Sequence, residues 1–331
     1  MPKIRLAQYG TKHSHSTGKL SAMLDNPDVE FVGVFEPDME RRSELEGSDG
    51  PYHGVRWFDD AAEMLEDPTI VAIASEGRNI ESLDQTEEIV QAGKHVWYDK
   101  PAGDDWDQWQ RVLDMAGKNN VVVQMGYMWR YHEGFCNIAE WVKSGMLGDI
   151  FALRAHVSTS ITEPGRVIGS RHPGGIMYDL GSHVIDQIVW LLGRPTRVTS
   201  FLRNDTGIVP EFSDNTLAVL EYERAMVYVD IAAMETTPPA RRFEVYGTRG
   251  SAIMEPFEPT DSIRLNLAEA QDGYEQGVQT VTFPEETRHP LYGRELESFL
   301  SAIGGERQPD RSIGHELLVQ ETLLRATGRI E

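Results

Sequence analysis

Strand-like apolar runs alternate with helical stretches through the first third of the chain. The pattern predicts strands at 4–9, 30–35, 70–74, 95–98 and 121–123, and helices at 18–24, 61–65 and 86–92. The runs 71–74 and 121–123 are apolar without alternation, which is typical of strands that are covered on both faces. Strand–helix–strand units of this length need crossover connections, so we predict a doubly wound α/β domain with a parallel sheet over residues 1–122.

Beyond Gln124 the pattern changes to a succession of alternating strands. We predict helices at 135–144, 178–192, 294–303 and 315–326, and strands at 150–160, 197–203, 216–222, 226–234, 242–246, 251–255, 263–267 and 278–283. Strands that follow one another without a helix between them favour antiparallel pairing. Residues 123–331 should therefore form an α+β domain on an open, mostly antiparallel sheet.

Composition excludes several classes of protein. The 331 residues include 31 basic and 53 acidic side chains, and the net charge of −22 repels nucleic acid and anionic membranes. The single cysteine, Cys136, cannot form an internal disulfide, and no apolar stretch is long enough to cross a membrane. Because the first residues also lack a leader pattern, we expect a cytoplasmic protein without nucleic-acid or membrane partners.

The turn after the first strand has the position of a dinucleotide-binding turn. Such turns place the diphosphate against helix amides, but here only Gly10 matches the usual glycine pattern, and Lys12 and His15 replace the second and third glycines. Lys12 could offset this by contacting a phosphate; the alternative is an ordinary loop. His13 and His15 also suggest a metal site, but no carboxylate or thiolate is near them in sequence, so we expect none.

Glu36 ends the second predicted strand, 26 positions after Gly10. An acidic side chain near this position binds the adenosine ribose in NAD sites, and the neighbouring Asp38 disfavours a 2′-phosphate. Arg41 and Arg42 could bind that phosphate, or they could simply begin the next helix. NAD is therefore favoured over NADP.

Two further segments carry candidate chemistry. Lys100, in Asp99-Lys100-Pro101, follows a predicted strand and would place an ammonium at the carboxyl edge of the parallel sheet, although a surface lysine is the simpler alternative. In the segment 174–186, Asp179, His183 and Asp186 fall on one helical face behind two glycines. An imidazole beside a carboxylate suits proton transfer from an alcohol, but the same residues could only bond each other at a domain junction.

Taken together, these segments resemble the Gfo/Idh/MocA oxidoreductases, the family of glucose-fructose oxidoreductase and inositol dehydrogenase. The resemblance rests on a Rossmann-type first domain, on Asp-Lys-Pro where the family has Glu-Lys-Pro, and on Gly-Gly-x-x-x-Asp-x-Gly-x-His at 174–183. It extends from Ile4 to the final helix, through the segments 36–41, 147–150 and 246–250.

The resemblance implies roles for individual residues. Lys100 matches the family's active-site lysine, His183 its catalytic histidine and Asp179 its substrate-handling aspartate. A cofactor site is then expected from Gly10, Thr11, Lys12, His13, Glu36, Ser75, Glu76, Asn79, Asp99 and Lys100. Two departures stand out: the broken glycine pattern, and Ser75-Glu76-Gly77 where the family commonly has Thr-Pro-Asn, which would place an extra carboxylate near the nicotinamide ribose.

A polyol substrate needs several paired donors and acceptors. Candidates in the second domain, besides Asp179 and His183, are Tyr127, Trp129, Arg130, His132, Arg166, Arg171 and His172. Trp129 could stack on a sugar face, Arg130 could instead pack the domain interface, and Arg171 could close a loop. The cations at 166, 171 and 172 could also select an acidic sugar or a phosphate ester.

Three functions stay open at this point. The first is an NAD-dependent sugar or cyclitol dehydrogenase. The second is a redox-neutral enzyme that retains NAD for glycoside cleavage, epimerisation or elimination, and the third is a non-catalytic sugar-binding or regulatory relative. The family resemblance also implies a homodimer or homotetramer that associates through the exposed sheet face of the second domain, with strands 216–222 and 226–234 as candidates.

Overall fold

The chain divides into two compact units. A computed structural model describes residues 3–258, 260–285 and 287–331. The first unit comprises the chain through Met128 together with Arg288–Leu317, and the second comprises Trp129–Thr287 and Leu318–Glu331. A C-terminal segment thus lies with the first unit, whereas the predicted division at 122/123 assigned it to the second. That residues 1–122 and 123–331 fold as separate domains stays a prediction.

The first unit contains a five-stranded parallel sheet with the order β2-β1-β3-β4-β5. Its strands are β1 (Ile4–Tyr9), β2 (Val29–Phe35), β3 (Ala72–Ser75), β4 (His95–Tyr98) and β5 (Val123–Met125), and its first helices are α1 (Ser16–Asp25), α2 (Met39–Glu46), α3 (Ala61–Leu65), α4 (Ser82–Gln91) and α5 (Trp106–Asn119). Every residue of β3 is buried, as expected for a strand that is covered on both faces. This confirms the predicted Rossmann-type α/β class.

The second unit is built on an eight-stranded sheet with the order β13-β12-β11-β10-β6-β9-β8-β7. It contains helices α6 (Glu133–Lys143), α7 (Glu163–Gly169) and α8 (Ile176–Leu192), and strands β6 (Ile150–His156), β7 (Arg197–Arg203), β8 (Asn215–Glu221), β9 (Met226–Ala232), β10 (Arg242–Gly247), β11 (Gly250–Met254), β12 (Ser262–Leu267) and β13 (Gly277–Thr282). Among the described strand pairs of this second sheet, only β6–β9 is parallel. The prediction of a mostly antiparallel open sheet is confirmed.

Two helices complete the fold, α9 (Arg288–Ile303) and α10 (Ile313–Ala326). Helix α9 packs against α1 of the first unit, where a Cβ on Gly18 would overlap the ring of Tyr292. No helix of the described residues is both long enough and apolar enough to span a membrane.

The sequence pattern does not predict α5 or α7, and it indicates α2 only as an alternative role for Arg41 and Arg42. Helix α2 buries none of its residues, so it lacks the apolar stripe by which a helix is recognised. Helix α7 has seven residues and contains a proline and two glycines, which are poor helix formers. Strand β6 ends at His156 rather than at residue 160, and beyond it only Ser160 makes an isolated bridge, to Met234.

Candidate functional site

The turn between β1 and α1 approaches the loop after β3 closely. Gly10 has a φ of +81°, and a Cβ at this position would lie 2.7 Å from the backbone nitrogen of Gly77. The backbone N–H of His13 donates to the carbonyl of Glu76 at 3.0 Å. Glycine is needed at position 10 both for its conformation and for the space that the neighbouring loop occupies.

Glu36 lies at the carboxyl edge of the sheet, just beyond β2, and is buried. Its two carboxylate oxygens accept from the Thr11 hydroxyl at 2.7 Å and from the Asp38 backbone N–H at 3.0 Å. Thr11 in turn accepts from Arg41 Nε at 3.4 Å. These bonds fix the carboxylate at the position where the sequence predicts ribose binding.

Two cations near this edge are already paired with carboxylates. Lys12 Nζ lies 3.1 Å from Asp38 and 3.3 Å from Glu81, so a phosphate would have to compete with both for its charge. Arg42 binds Glu46 at 3.0 Å and Asp59 at 2.9 Å. Of the two arginines considered for a 2′-phosphate, Arg42 is therefore engaged elsewhere.

The last residue of β3 and the first residue of the following loop direct their side chains into the first unit. The Ser75 hydroxyl is buried and accepts from Thr86 of α4 at 3.0 Å, and the carbonyl of Asn79 accepts from Ser82 at 3.5 Å. Glu76 is fully buried. Roles of these residues in cofactor binding stay predictions, but the side chains of Ser75 and Glu76 point into the protein interior.

A buried ionic cluster lies behind the turn. Lys19 of α1 has no exposed surface, and its Nζ lies 2.9 Å from Glu76 and 3.2 Å from Asp99. The same ammonium lies 4.5 Å from the ring centroid of Trp97 in β4. The sequence places an extra carboxylate, Glu76, in the loop after β3. The Lys19 ammonium provides a buried positive charge beside it, inside the protein.

The environment separates the pKa values of the acids in this cluster. Burial raises the pKa of Glu76 well above its usual range, and burial also raises that of Glu295, on α9, to about 8. Burial alone would raise the pKa of Asp99 too, but the imidazoles of His13 and His15 and the Lys19 ammonium bring it well below its usual value. Lys19 itself keeps a pKa raised to about 12, because Asp99 and Glu76 outweigh the effect of its burial. At neutral pH Glu295 is therefore mostly protonated, whereas Asp99 and Lys19 are ionised.

Both histidines of the turn belong to this cluster. His15 Nδ1 lies 3.1 and 3.2 Å from the oxygens of Asp99, and His13 Nε2 lies 3.0 Å from the carbonyl oxygen of Lys100. Burial lowers the pKa of both imidazoles, that of His13 to about 3, so both rings are neutral at pH 7. The sequence-based argument that no carboxylate lies near them is wrong, because the fold brings Asp99 to them from 84 residues away.

Donor atoms of His13, His15 and Asp99 lie within 4.8 Å of one another, as in a metal site. However, the Lys19 ammonium lies 3.2 Å from Asp99, and His13 Nδ1 already accepts the backbone N–H of His15 at 3.2 Å. A divalent cation here would face the ammonium at close range and would displace that hydrogen bond. The Lys19 ammonium is thus the cation that contacts the carboxyl groups of this cluster.

Lys100 follows β4, which lies between β3 and β5 in the sheet, and is buried. Its backbone N–H donates to Asp99 Oδ1 at 2.8 Å, and its carbonyl accepts from His13. The backbone of the predicted catalytic lysine is thus held on both sides by residues of the cluster.

In the second unit, the predicted histidine and aspartate lie in the first half of α8. Helix α8 begins behind Gly175, where a Cβ would lie 2.7 Å from the backbone nitrogen of Ser213. Asp179 is half-buried and His183, one turn later, is buried. The His183 ring lies against that of Trp129, with centroids 4.5 Å apart. The helix and the close glycine approach that the sequence predicts are both present.

Most other polar candidates of the second unit are held by protein groups. Arg130 forms bidentate hydrogen bonds to Asp186 at 2.8–3.0 Å, and Arg166 binds Asp214 at 2.8 Å.

The other candidates make different contacts. His132 caps α6 by accepting the Gly134 N–H, and the His172 ring stacks on Tyr178. Arg171 is exposed. Trp129 also stacks on Phe135, and Tyr127 lies in the first unit below Arg311. Substrate binding by these residues stays a prediction.

Reasoning from sequence missed Lys19, Glu295 and the core role of His15. Lys19 reads as an ordinary polar position of α1, and Glu295 lies in a helix near the other end of the chain. One signal was available: a carboxylate at position 76, directly after a fully apolar strand, needs a buried cation as its partner.

Comparisons with known proteins agree with this architecture. Residues 9–127 match the model of an oxidoreductase family with an NAD-binding Rossmann fold, and residues 135–253 match the GFO/IDH/MocA C-terminal domain. The chain is 24% identical to scyllo-inositol 2-dehydrogenase (NAD(+)) of Bacillus subtilis, over 77% of this chain and 73% of that protein. It is also 24% identical to the rhizopine catabolism protein MocA of Rhizobium meliloti, over 82% and 85%.

Solved structures share the fold. A levoglucosan dehydrogenase in complex with NADH and levoglucosan superimposes with a TM-score of 0.82 at 16% identity, over 98% of this chain and 97% of that one. The WlbA dehydrogenase from Bordetella pertussis, in complex with NADH and UDP-GlcNAcA, gives 0.80 at 17% identity over 99% and 96%. The chain belongs to the Gfo/Idh/MocA family and is an oxidoreductase with an NAD-binding Rossmann domain.

Proposed function

We propose that the protein is an NAD-dependent dehydrogenase that transfers a hydride between nicotinamide and a hydroxyl-bearing carbon of a sugar, cyclitol or related polyol. The observation that carries this proposal is Lys100, a lysine buried at the carboxyl end of β4 and fixed there by Asp99 and His13. Ligands of open parallel sheets bind at this edge.

The residues of the first unit fit a dinucleotide. Gly10 keeps the tight turn against the loop after β3, and the buried Glu36 carboxylate stands at the end of β2. Each Glu36 oxygen accepts one protein hydrogen bond, and a carboxylate has about four acceptor positions, which leaves capacity for the ribose hydroxyls.

The charges near Glu36 favour NAD over NADP. A 2′-phosphate would meet the carboxylates of Glu36 and Asp38, and Arg42 is paired with Glu46 and Asp59. Arg41 is the other arginine considered for a 2′-phosphate, and its Nε already donates to the Thr11 hydroxyl. We expect Glu36→Ala to weaken NAD⁺ binding by about tenfold, the value of one good charge-assisted hydrogen bond, and to narrow the preference against NADP⁺.

The chain's own residues would supply the proton chemistry. The bound dinucleotide accepts or donates the hydride. His183 acts as the general base that takes the hydroxyl proton, and Lys100 donates a hydrogen bond to the substrate oxygen as negative charge develops on it. Asp179 binds a neighbouring hydroxyl. Trp129 holds the His183 ring by packing against it, which fits positioning better than stacking on a sugar.

A sugar or polyol substrate is supported by the relatives, whose names include scyllo-inositol 2-dehydrogenase and levoglucosan dehydrogenase. It is also consistent with the commitment of Arg130 and Arg166 to aspartates, because this leaves fewer cations for an acidic sugar or a phosphate ester.

Association of copies through the sheet of the second unit is part of the proposal. Strands β8 and β9 alternate between buried and exposed positions, and the outer face carries Phe201, Met226 and Tyr228 at 54, 56 and 36% exposure. An apolar face of this kind suits a homo-oligomer. Phe201→Glu should reduce the mass measured by light scattering if this face is the interface, and an unchanged assembly would place the interface elsewhere.

The first experiment is to denature the purified protein, assay the released NAD(H) and NADP(H), and titrate fresh protein with each nucleotide by calorimetry. Exchangeable NAD⁺ binding is expected, followed by NADH formation with at least one of myo-inositol, scyllo-inositol, levoglucosan and glucose. Stoichiometric retained cofactor without net reduction would instead indicate the redox-neutral enzyme, and absence of nucleotide binding would indicate a non-catalytic relative.

Two variants test the assigned roles. Lys100→Ala and His183→Ala should each lower kcat by about 10²–10⁴-fold, the range for loss of a general base or a charge-stabilising group, with melting temperatures close to that of the wild type. His53→Leu, at an exposed histidine, serves as the control and should leave kcat unchanged. Normal turnover in either active-site variant would refute the mechanism.

A further inference from the structure

His13 connects the turn after β1 to the lysine after β4. Its Nε2 lies 3.0 Å from the Lys100 carbonyl oxygen, and its Nδ1 accepts the backbone N–H of His15 at 3.2 Å. A carbonyl oxygen can only accept, so Nε2 must carry the proton. The two contacts therefore specify one tautomer of a neutral imidazole.

The protein holds this ring firmly. His13 is 8% exposed, its backbone N–H donates to the Glu76 carbonyl, and its ring packs edge-on against that of His15, with centroids 4.8 Å apart. His15 in turn donates to Asp99, which is anchored by Lys19. The position of the His13 ring is thus determined by residues of the turn before α1, of α1 itself and of the segments that follow β3 and β4.

The contacts of Lys100 show that this rigid arrangement holds its main chain. Asp99 accepts its backbone N–H, and His13 donates to its carbonyl, so both polar groups of the Lys100 main chain are fixed. Neither contact uses the lysine side chain. The direction in which the Lys100 side chain leaves the chain after β4 is thus set by the buried cluster.

We propose that His13 is a positioning residue: its Nε2–H bond to the Lys100 carbonyl holds the catalytic lysine in place and ties it to the turn that receives the dinucleotide. The inference rests on the proposed role of Lys100. It assigns to the His13 side chain a partner within the protein instead of the contact with the cofactor that the sequence suggests.

The test compares His13→Leu, which removes the donor, with His13→Gln, whose amide nitrogen can reach the position of Nε2. A displacement of a catalytic group by about 1 Å can cost about a hundredfold in rate. We therefore expect His13→Leu to lower kcat by about ten- to a hundredfold while the Kd for NAD⁺, measured by calorimetry, changes by less than about threefold. His13→Gln should recover most of the lost rate, and His53→Leu should behave as the wild type.

A second readout does not depend on turnover. In protein labelled with ¹⁵N-histidine, NMR should show His13 as a neutral imidazole protonated at Nε2, with resonances that do not titrate between pH 5.5 and 9; His13→Gln identifies the signals by their loss. Protonation at Nδ1, or titration in that range, would overturn the proposal, and this measurement remains informative if His13→Leu fails to fold.

The outcomes also separate this inference from the proposed function. If Lys100→Ala is inactive but His13→Leu has wild-type kcat, positioning by His13 is refuted and the function stands. If His13→Gln is impaired as strongly as His13→Leu, the hydrogen bond is not the cause and the proposal fails. If Lys100→Ala retains turnover, the function proposal itself is refuted, whatever the state of His13.

Discussion

Buried charges are arranged differently in the two units. In the second unit, each of two guanidinium groups faces its own aspartate: Arg130 binds Asp186 through two nitrogens, and Arg166 binds Asp214. In the first unit, one ammonium, Lys19, contacts two carboxyl groups, Glu76 and Asp99. These two pairs of the second unit each balance one charge with one, as the Arg311–Glu316 pair of the first unit also does, whereas the Lys19 cluster contains more acids than its central cation can neutralise.

The difference decides how each region responds to pH. Burial alone would raise the pKa of Asp214, but hydrogen bonds from the Thr206 hydroxyl and two backbone N–H groups lower it, so the pair with Arg166 stays ionised over the usual pH range. In the first unit, burial raises the pKa of Glu76 well above its usual range and that of Glu295 to about 8. The Arg166–Asp214 pair therefore acts as a fixed connection, and the cluster of the first unit is the part that titrates.

The largest effect is expected from breaking a pair of the second unit. Arg130→Met leaves Asp186 buried without its main cation, and removal of one partner of a buried pair costs about 3–5 kcal/mol of unfolding free energy. Urea denaturation at pH 7 measures the loss. The double variant Arg130→Met/Asp186→Leu should recover much of it, because no unpaired charge remains. Equal instability of the single and double variants would show that packing against Trp190, and not charge pairing, is what matters.

A smaller loss is expected at Lys19, because acids of the first unit can take up protons when their cation is removed. Lys19→Met should cost about 2–3 kcal/mol at pH 7, less than the full penalty for an uncompensated buried charge. The loss should shrink in Lys19→Met/Asp99→Asn, which removes the ionised acid as well. A cost equal to that of Arg130→Met, unchanged in the double variant, would contradict the distinction between fixed and titrating regions.

The sequence predicts the architecture well and the interior of the site poorly. Strands β1, β4 and β7 begin and end at the predicted residues, because hydrophobic alternation and glycine or proline boundaries are local signals. Helix α8 and its two leading glycines are also predicted, and Glu36 lies at the predicted edge. These features depend on residues that are close together in the sequence.

The ionic cluster depends on contacts that the sequence does not reveal. His15 meets Asp99 across 84 residues, and the backbone of Glu295 accepts from Gln124 across 171. The position of α9 against α1 decides which polar side chains are buried, and no periodicity specifies that packing. The same holds for Arg166, which reads as a possible substrate cation until its partner Asp214 is seen 48 positions away.

The sharpest test of the titrating cluster concerns Glu295. Its folded-state pKa of about 8 lies above the ordinary value of 4.5, so the folded protein binds the proton more tightly than the unfolded chain does. Stability from this group is complete below about pH 4.5 and is lost as the pH rises to about 8, with a slope of up to about 1.4 kcal/mol per pH unit. Denaturation curves between pH 5 and 9 should therefore show a decline that Glu295→Gln reduces. Glu297→Gln, at an exposed position of the same helix, is the matched control and should retain the decline. If Glu295→Gln and the wild type lose stability in parallel over this range, Glu295 is not protonated in the folded protein, and the first unit balances its buried charge as completely as the second.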